Sequence, residues 1–294
     1  MTQVVEYVVQ AVSLGGLYAL FALGIALIFG IGRIVNFAHG QIIALSCYLI
    51  VWCGTLPWPI TVLATIAAAS AIAVGMETMV FRPARLADES TLLIISFALA
   101  LAIEALVLLL IGATPRSTSF GLSLGKPVHV GSVPIPRVDL LTVAVAAGLL
   151  GGLVFLLRRT PLGVRLRAAA EDFEMARLVG VAANGTMAAT FALGGMLAGV
   201  AALLIMVNGG IVTPDIGFEP VLIAFIATVI GGMGSLSGAV AGGFLLGALT
   251  VVLQAALPEG LRVYRDALLF GLVIGLLVFR PGGLALVAER AKRI

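Results

Sequence analysis

"GGLYALFALGIALIFGIGRIVNFAHGQ", residues 15–41, decides the fold. From Gly15 to Gly32 no side chain carries a charge, and the apolar character reaches back to residue 8. An α-helix needs about 20 such residues to cross the hydrocarbon core of a bilayer. Then Arg33, Asn36, His39 and Gln41 fall together, where the next apolar run begins at residue 40. A span followed by a compact polar break and a second span is the pattern of a polytopic membrane protein.

The rest of the chain agrees. Its 294 residues are 61% hydrophobic and 11% charged, with mean hydropathy +1.20. Soluble domains carry about 25% charged residues, so lipid has to be the solvent for much of this surface. Apolar runs lie near 8–31, 40–56, 60–81, 91–112, 140–157, 186–207, 220–232, 238–257 and 266–279. They do not alternate with period two, which excludes a β-barrel. The expectation is an all-α, polytopic transmembrane helical bundle with eight or nine membrane segments, the seventh and ninth short, forming one membrane domain over 1–294. The 36 glycines fit close helix packing in such a bundle. Cys47 and Cys53 lie six apart in one run and serve as small apolar fillers. The first ten residues hold no Lys or Arg, so a cleavable signal peptide is not expected.

Orientation follows from Lys and Arg in the connections. If the runs alternate, Arg33, Arg82, Arg85, Arg158, Arg159, Arg165, Arg167, Arg177, Arg280, Arg290, Lys292 and Arg293 share one side. Arg116, Lys126, Arg137, Arg262 and Arg265 share the other. The richer side is cytoplasmic, with the N-terminus outside and the C-terminus inside. The slight net charge of +3 is a topology signal and not a nucleic-acid one. Residues 113–139 form a Pro-rich outer loop, and 158–185 form the one long cytoplasmic connection.

That connection reads "RRTPLGVRLRAAAEDFEMARLVGVAANG". Thr160–Pro161 starts a helix with a hydroxyl cap and Pro at its first position. No Gly or Pro interrupts Val164–Val179, and Gly180 ends the helix at a left-handed position. Glu171, Asp172 and Glu174 would repel anionic lipid headgroups, so a short mixed-charge helix here suits a protein partner better than a membrane surface.

Several stretches together resemble one family. "GGLYALFALGIALIFGIGRIVNFAHG" at 15–40, "LGVRLRAAAEDFEMARLVGV" at 162–181 and "VIGGMGSLSGAVAGGFLLG" at 229–247 resemble, in order, the inner-membrane permease subunits of high-affinity branched-chain amino-acid ABC importers. The resemblance implies half of a membrane pore in the bacterial inner membrane. It also implies a second related permease subunit forming a heterodimer, two cytoplasmic ABC ATPase subunits and a periplasmic or extracellular solute-binding protein. On that resemblance Glu171, Asp172, Phe173, Met175, Ala176, Leu178 and Gly180 form the segment that couples to an ATPase. Two positions depart from the family pattern: Ile223 stands where a Lys is frequent, and Ser237 where a Pro is frequent. Both bear on solute identity, and urea or short-amide permeases share much of the pattern.

Asn36, His39, Gly40 and Gln41 have two readings. They cap helix ends through hydrogen bonds, or they line the translocation route, because polar groups at membrane depth are expensive and line cavities or pair. "GGMGSLSG", with Gly231, Gly232 and Ser235, is a second break. Glu77 and Glu104 lie inside runs. Glu104, nearer the centre, is expected to carry the costlier charge and to favour a self-sufficient, proton-coupled secondary transporter if anything does. His39 and His129 fall on opposite sides, which speaks against a metal site. "GLSLGKP" at 121–127 fails as a phosphate loop: its glycine spacing is one short, and Pro127 replaces the hydroxyl. No nucleophile–base cluster is readable. The expectation is a non-enzyme without cofactor, moving branched-chain (Leu/Ile/Val) or related amino acids by alternating access while partner chains hydrolyse ATP.

Overall fold

The computed structural model describes residues 2–121, 127–130 and 133–279. Lys126, the centre of "GLSLGKP", and Arg280, Arg290, Lys292 and Arg293 of the orientation argument lie outside the described residues. Eleven α-helices are present among those described: α1 (Thr2–Gly32), α2 (His39–Trp52), α3 (Trp58–Met76), α4 (Glu89–Leu110), α5 (Arg137–Arg159), α6 (Pro161–Glu171), α7 (Phe173–Leu178), α8 (Ala183–Gly209), α9 (Phe218–Gly231), α10 (Leu236–Ala256) and α11 (Arg265–Phe279). Six helical stretches are long and apolar enough to cross a membrane, namely α1, α3 with its extension, α4, α5, α8 and α10; α2 and α9 are shorter apolar helices. Each apolar run read from the sequence became one helix.

The expected loop at 113–139 is partly β-structure. β1 (Arg116–Ser117) pairs antiparallel with β4 (Ile211–Val212), and β2 (Pro127–Val130) pairs with β3 (Val133–Pro136). Pro127 facing Pro136 at the open end of the hairpin fits proline's confinement to strand ends.

α1 is the axis of the bundle. Its apolar window is 89% buried, whereas those of α4 and α5 are mostly exposed. Backbones meet where glycine permits. A Cβ on Gly243 would strike the backbone of Ala19, and one on Gly247 would strike Gly15, which seats α10 on α1. Gly195 and Gly199 place α8 against Ala69 and Ile66 of α3 in the same way. Lipid offers no hydrophobic drive between helices, so this close contact and the dispersion it allows hold the bundle. Buried hydroxyls cause no conflict, because Ser46, Thr65, Thr142, Thr190 and Thr250 each donate to the carbonyl four residues back, at 2.7–2.9 Å. Outside the spans, Asp88 accepts from the Thr91 hydroxyl at 2.7 Å, which holds its carboxyl below the usual range.

Candidate translocation and coupling site

The polar break at 33–41 folds back into the bundle. α1 ends at Gly32, and Arg33 takes a left-handed φ of 54° with its guanidinium over Phe29. Residues 33–38 then run back along the helices. The His39 ring abuts Gly24, eight residues or about 12 Å before the end of α1. Ser96 of α4 fixes the returning segment: its hydroxyl accepts from the Phe37 amide at 3.3 Å and shares its proton between the Leu93 carbonyl at 2.8 Å and the Val35 carbonyl at 3.0 Å. The Phe37 ring lies between Phe97 and Phe225, with centroids at 5.7 and 5.4 Å.

α2 therefore begins inside the bundle, and so does α9. Gly40 and Gly217 face one another so closely that a Cβ on either would collide with the carbonyl oxygen of the other. The N-terminal ends of two short helices thus meet. Helix N-termini carry partial positive charge, here offset by Glu219 in the first turn of α9, while the amides of His39, Gln41 and Phe218 already donate to the carbonyls of Asn36, Ala38 and Asp215. Asn36, His39 and Gln41 stand at this junction, at 0, 0 and 4% exposure. The capping hydrogen bonds expected of them are not formed. Both amide atoms of Asn36, both ring nitrogens of His39 and Oε1 of Gln41 have no hydrogen-bond partner among the described residues. Buried polar atoms are nearly always paired, so each orphaned one calls for an explanation.

The second break joins α9 to α10. Gly232 and Gly234 adopt φ of 97° and 87°, and Gly231 packs on Gly238 backbone to backbone. Ser235 caps α10, accepting from the Gly238 amide at 3.1 Å. Gly234 lies beside Gly30, so the two breaks share one side of the bundle. Between them, α1, α5, α6 and α10 enclose a groove of about 400 Å³ with Leu23, Leu153 and Leu166 inside and Arg158 and Arg167 at its rim.

The connection at 158–185 differs from the single helix expected over 164–179. Thr160 caps its start as anticipated, accepting from the Gly163 amide at 3.1 Å. At Asp172 the backbone turns extended, with φ −152° and ψ 106°. The Asp172 side chain accepts from the Met175 amide at 2.9 Å and starts α7 afresh. Asp is a strong N-cap residue, and here that local bond overrides continued helix. Gly180, at φ 91°, closes α7, with the Val181 amide donating to the Ala176 carbonyl at 3.0 Å. Ala176 is turned inward at 5% exposure, and Phe173 is half-buried. Met175, Leu178 and Val179 project at 57, 79 and 79% exposure, while Glu171, Asp172 and Gly180 are also exposed. Val179 was not among the residues singled out from sequence.

The two carboxylates read from the sequence inside apolar runs exchange importance. Glu104 sits half-exposed on α4, in none of the ion pairs among the described residues. Glu77 is the fully buried one, and it pairs with two arginines. Arg85 Nη2 lies 2.6 Å from its Oε1, and Arg82 Nη2 lies 3.1 Å from its Oε2. Residues Glu77–Phe81 form a π turn, which brings positions five apart onto one face. The sequence signal was present in "ETMVFRPAR", but the spacing is not that of an α-helix. No cluster of three or more His, Cys, Asp or Glu side chains suited to a metal exists among the described residues.

The chain is similar to known transport permeases. The family model described as the branched-chain amino acid transport system permease component matches residues 7–279. The chain is 32% identical to the high-affinity branched-chain amino acid transport system permease protein BraD of Pseudomonas aeruginosa, over 95% of this chain and 94% of that protein. It is 29% identical to the permease protein LivH of the corresponding high-affinity system in Escherichia coli, over 94% and 93%. A shorter match, 38% identical over 40% of this chain and 30% of the other, links it to the xylose transport system permease protein XylH of Escherichia coli. The chain belongs to the family of branched-chain amino acid transport system permease components.

Proposed function

We propose that this protein is a membrane-spanning permease subunit of an ABC importer that passes branched-chain or related amino acids through the inner membrane by alternating access. The observation that carries the reading is the conjunction of family membership with an apolar tip, Met175, Leu178 and Val179, held out on a polar connection. Water-exposed apolar clusters mark protein contacts. The tip docks one of two cytoplasmic ATPase subunits, with Phe173 and the inward Ala176 setting its pose and Glu171 and Asp172 flanking it. This connection faces the cytoplasm, with the N-terminus outside, a reading that the arginine distribution supports.

The half-helices α2 and α9 serve as crossing elements, giving eight membrane segments, or nine with α11. The open faces of α4 and α5, with Glu104 on one of them, suit a second, related permease. An external binding protein delivers the solute. The junction of Asn36, His39, Gln41, Gly40 and Gly217 lies on the route. Its two converging helix N-termini, one of them carrying Glu219, suit the zwitterionic head that every amino acid carries. The breaks at Gly231, Gly232 and Ser235 supply the compliant inner end of the same route.

Reconstitution tests this directly. Proteoliposomes holding this chain, its partner permease and the ATPases should take up leucine, isoleucine or valine only with ATP and the binding protein. Uptake by this chain alone, driven by a proton or sodium gradient, would sink the proposal in favour of a secondary transporter.

A further inference from the structure

We propose that Arg85 is the positioning residue through which movement of the coupling segment reaches the membrane helices. This rests on the docking role assigned above to residues 173–179. Arg85 lies in the short connection between α3 and α4, far in sequence from that segment, yet its guanidinium touches three separate elements. Nη2 holds Oε1 of the buried Glu77 at the end of α3. Nη1 donates to Oδ1 of Asn184 in the first turn of α8 at 2.8 Å. The guanidinium carbon stands 5.8 Å from the centroid of the Phe173 ring, the first residue of α7.

A planar guanidinium has a rigid fork of donors and a face that stacks on aromatic rings, so one side chain can fix three directions at once. A lysine cannot. α3 and α8 form a tight pair through Gly195 and Gly199. Met187, one turn beyond Asn184, packs on Gly32, where α1 gives way to the 33–41 break. A displacement of Phe173 is therefore passed to α3 and α8 together, and from α8 to the break. The π turn at Glu77–Phe81 is the compliant piece. Its widened turn already departs from α-helical register, and such turns are frequent at functional sites.

A pair that only neutralises a buried carboxylate would not need Asn184 or Phe173. The test uses the whole reconstituted complex and three readings: ATPase subunits retained on purification, basal hydrolysis, and hydrolysis and uptake stimulated by the loaded binding protein. Arg85→Ala and Asn184→Ala should keep the first two at wild-type levels. They should lower stimulated hydrolysis and uptake by between about twofold and thirtyfold, the range of coupling perturbations. The double variant should be no worse than Arg85→Ala, because both act through one contact. Arg85→Lys keeps the charge on Glu77, so the chain folds even if Arg85→Ala does not, and it should still lose stimulated uptake. Wild-type stimulation in Arg85→Lys and Asn184→Ala, or losses that multiply in the double variant, overturns the proposal. ATPase subunits that fail to bind the wild-type chain overturn the docking reading instead.

Discussion

Gly40→Ala is the sharpest probe of the junction between α2 and α9. The new methyl would meet the Gly217 carbonyl oxygen in collision, and would lie 3.0 Å from both the Gly217 carbonyl carbon and Val221 Cβ. Ordinary contact begins near 3.4 Å, and the obstacle is backbone, so no side-chain rotation relieves it. The half-helices must part by several tenths of an ångström or more, and overpacking of that kind costs about 1–3 kcal/mol. Gly217→Ala opens the same seam, so the double variant should cost less than the sum of the two. Gly75→Ala is the control: a Cβ there meets nothing within 4 Å, and a helical Gly replaced by Ala is neutral or gains up to about 1 kcal/mol. Denaturant unfolding of the purified protein in detergent measures all four. If Gly40→Ala matches Gly75→Ala in stability, the helix ends are not in contact and the route drawn through them is wrong.

The other predictions concern the polar junction and the coupling tip. Asn36→Leu removes two unpartnered buried atoms, so stability should rise by about 1–3 kcal/mol while uptake falls, seen by unfolding and transport side by side. Ser96→Ala releases Val35 and Phe37 and should cost about 1 kcal/mol, with faster amide exchange across 33–38. Gly180→Ala places a Cβ at a left-handed φ, and should raise exchange across 173–181 by about five- to thirtyfold, the equivalent of 1–2 kcal/mol. Leu178→Asp should weaken retention of the ATPase subunits by about thirtyfold or more, as truncation of an interface anchor does, while membrane insertion is unchanged.

The helices were legible because hydropathy alone decides them: the run at 186–207 became Ala183–Gly209, and that at 238–257 became Leu236–Ala256. The caps at Thr160 and Gly180 were legible because their chemistry is local. What escaped was either a competition between local signals or a contact between distant segments. Asp172 interrupts a good helical pattern, since its side chain offers the Met175 amide a nearer partner than continued helix does. The β1–β4 pair joins residues nearly a hundred positions apart with only two residues each, too short for any alternation to show. Glu77 was underrated for a related reason. Its partners sit five and eight residues on, a spacing that only a π turn and the bend after it bring together. Asn36, His39 and Gln41 were visible as polar residues out of place, but their lack of partners depends on how α1, α4 and α9 close around them.

In the proposed assembly residues 175–179 face the cytoplasm and are covered there by an ATPase. Leu178→Cys, in a background with Cys53→Ser and with Cys47 left buried, allows one measurement: labelling by a membrane-impermeant maleimide. Reaction in inside-out vesicles stripped of ATPase subunits, none in right-side-out vesicles, and protection when the ATPases are restored is the predicted result. Labelling from the outer face, or labelling undiminished by bound ATPase, contradicts it.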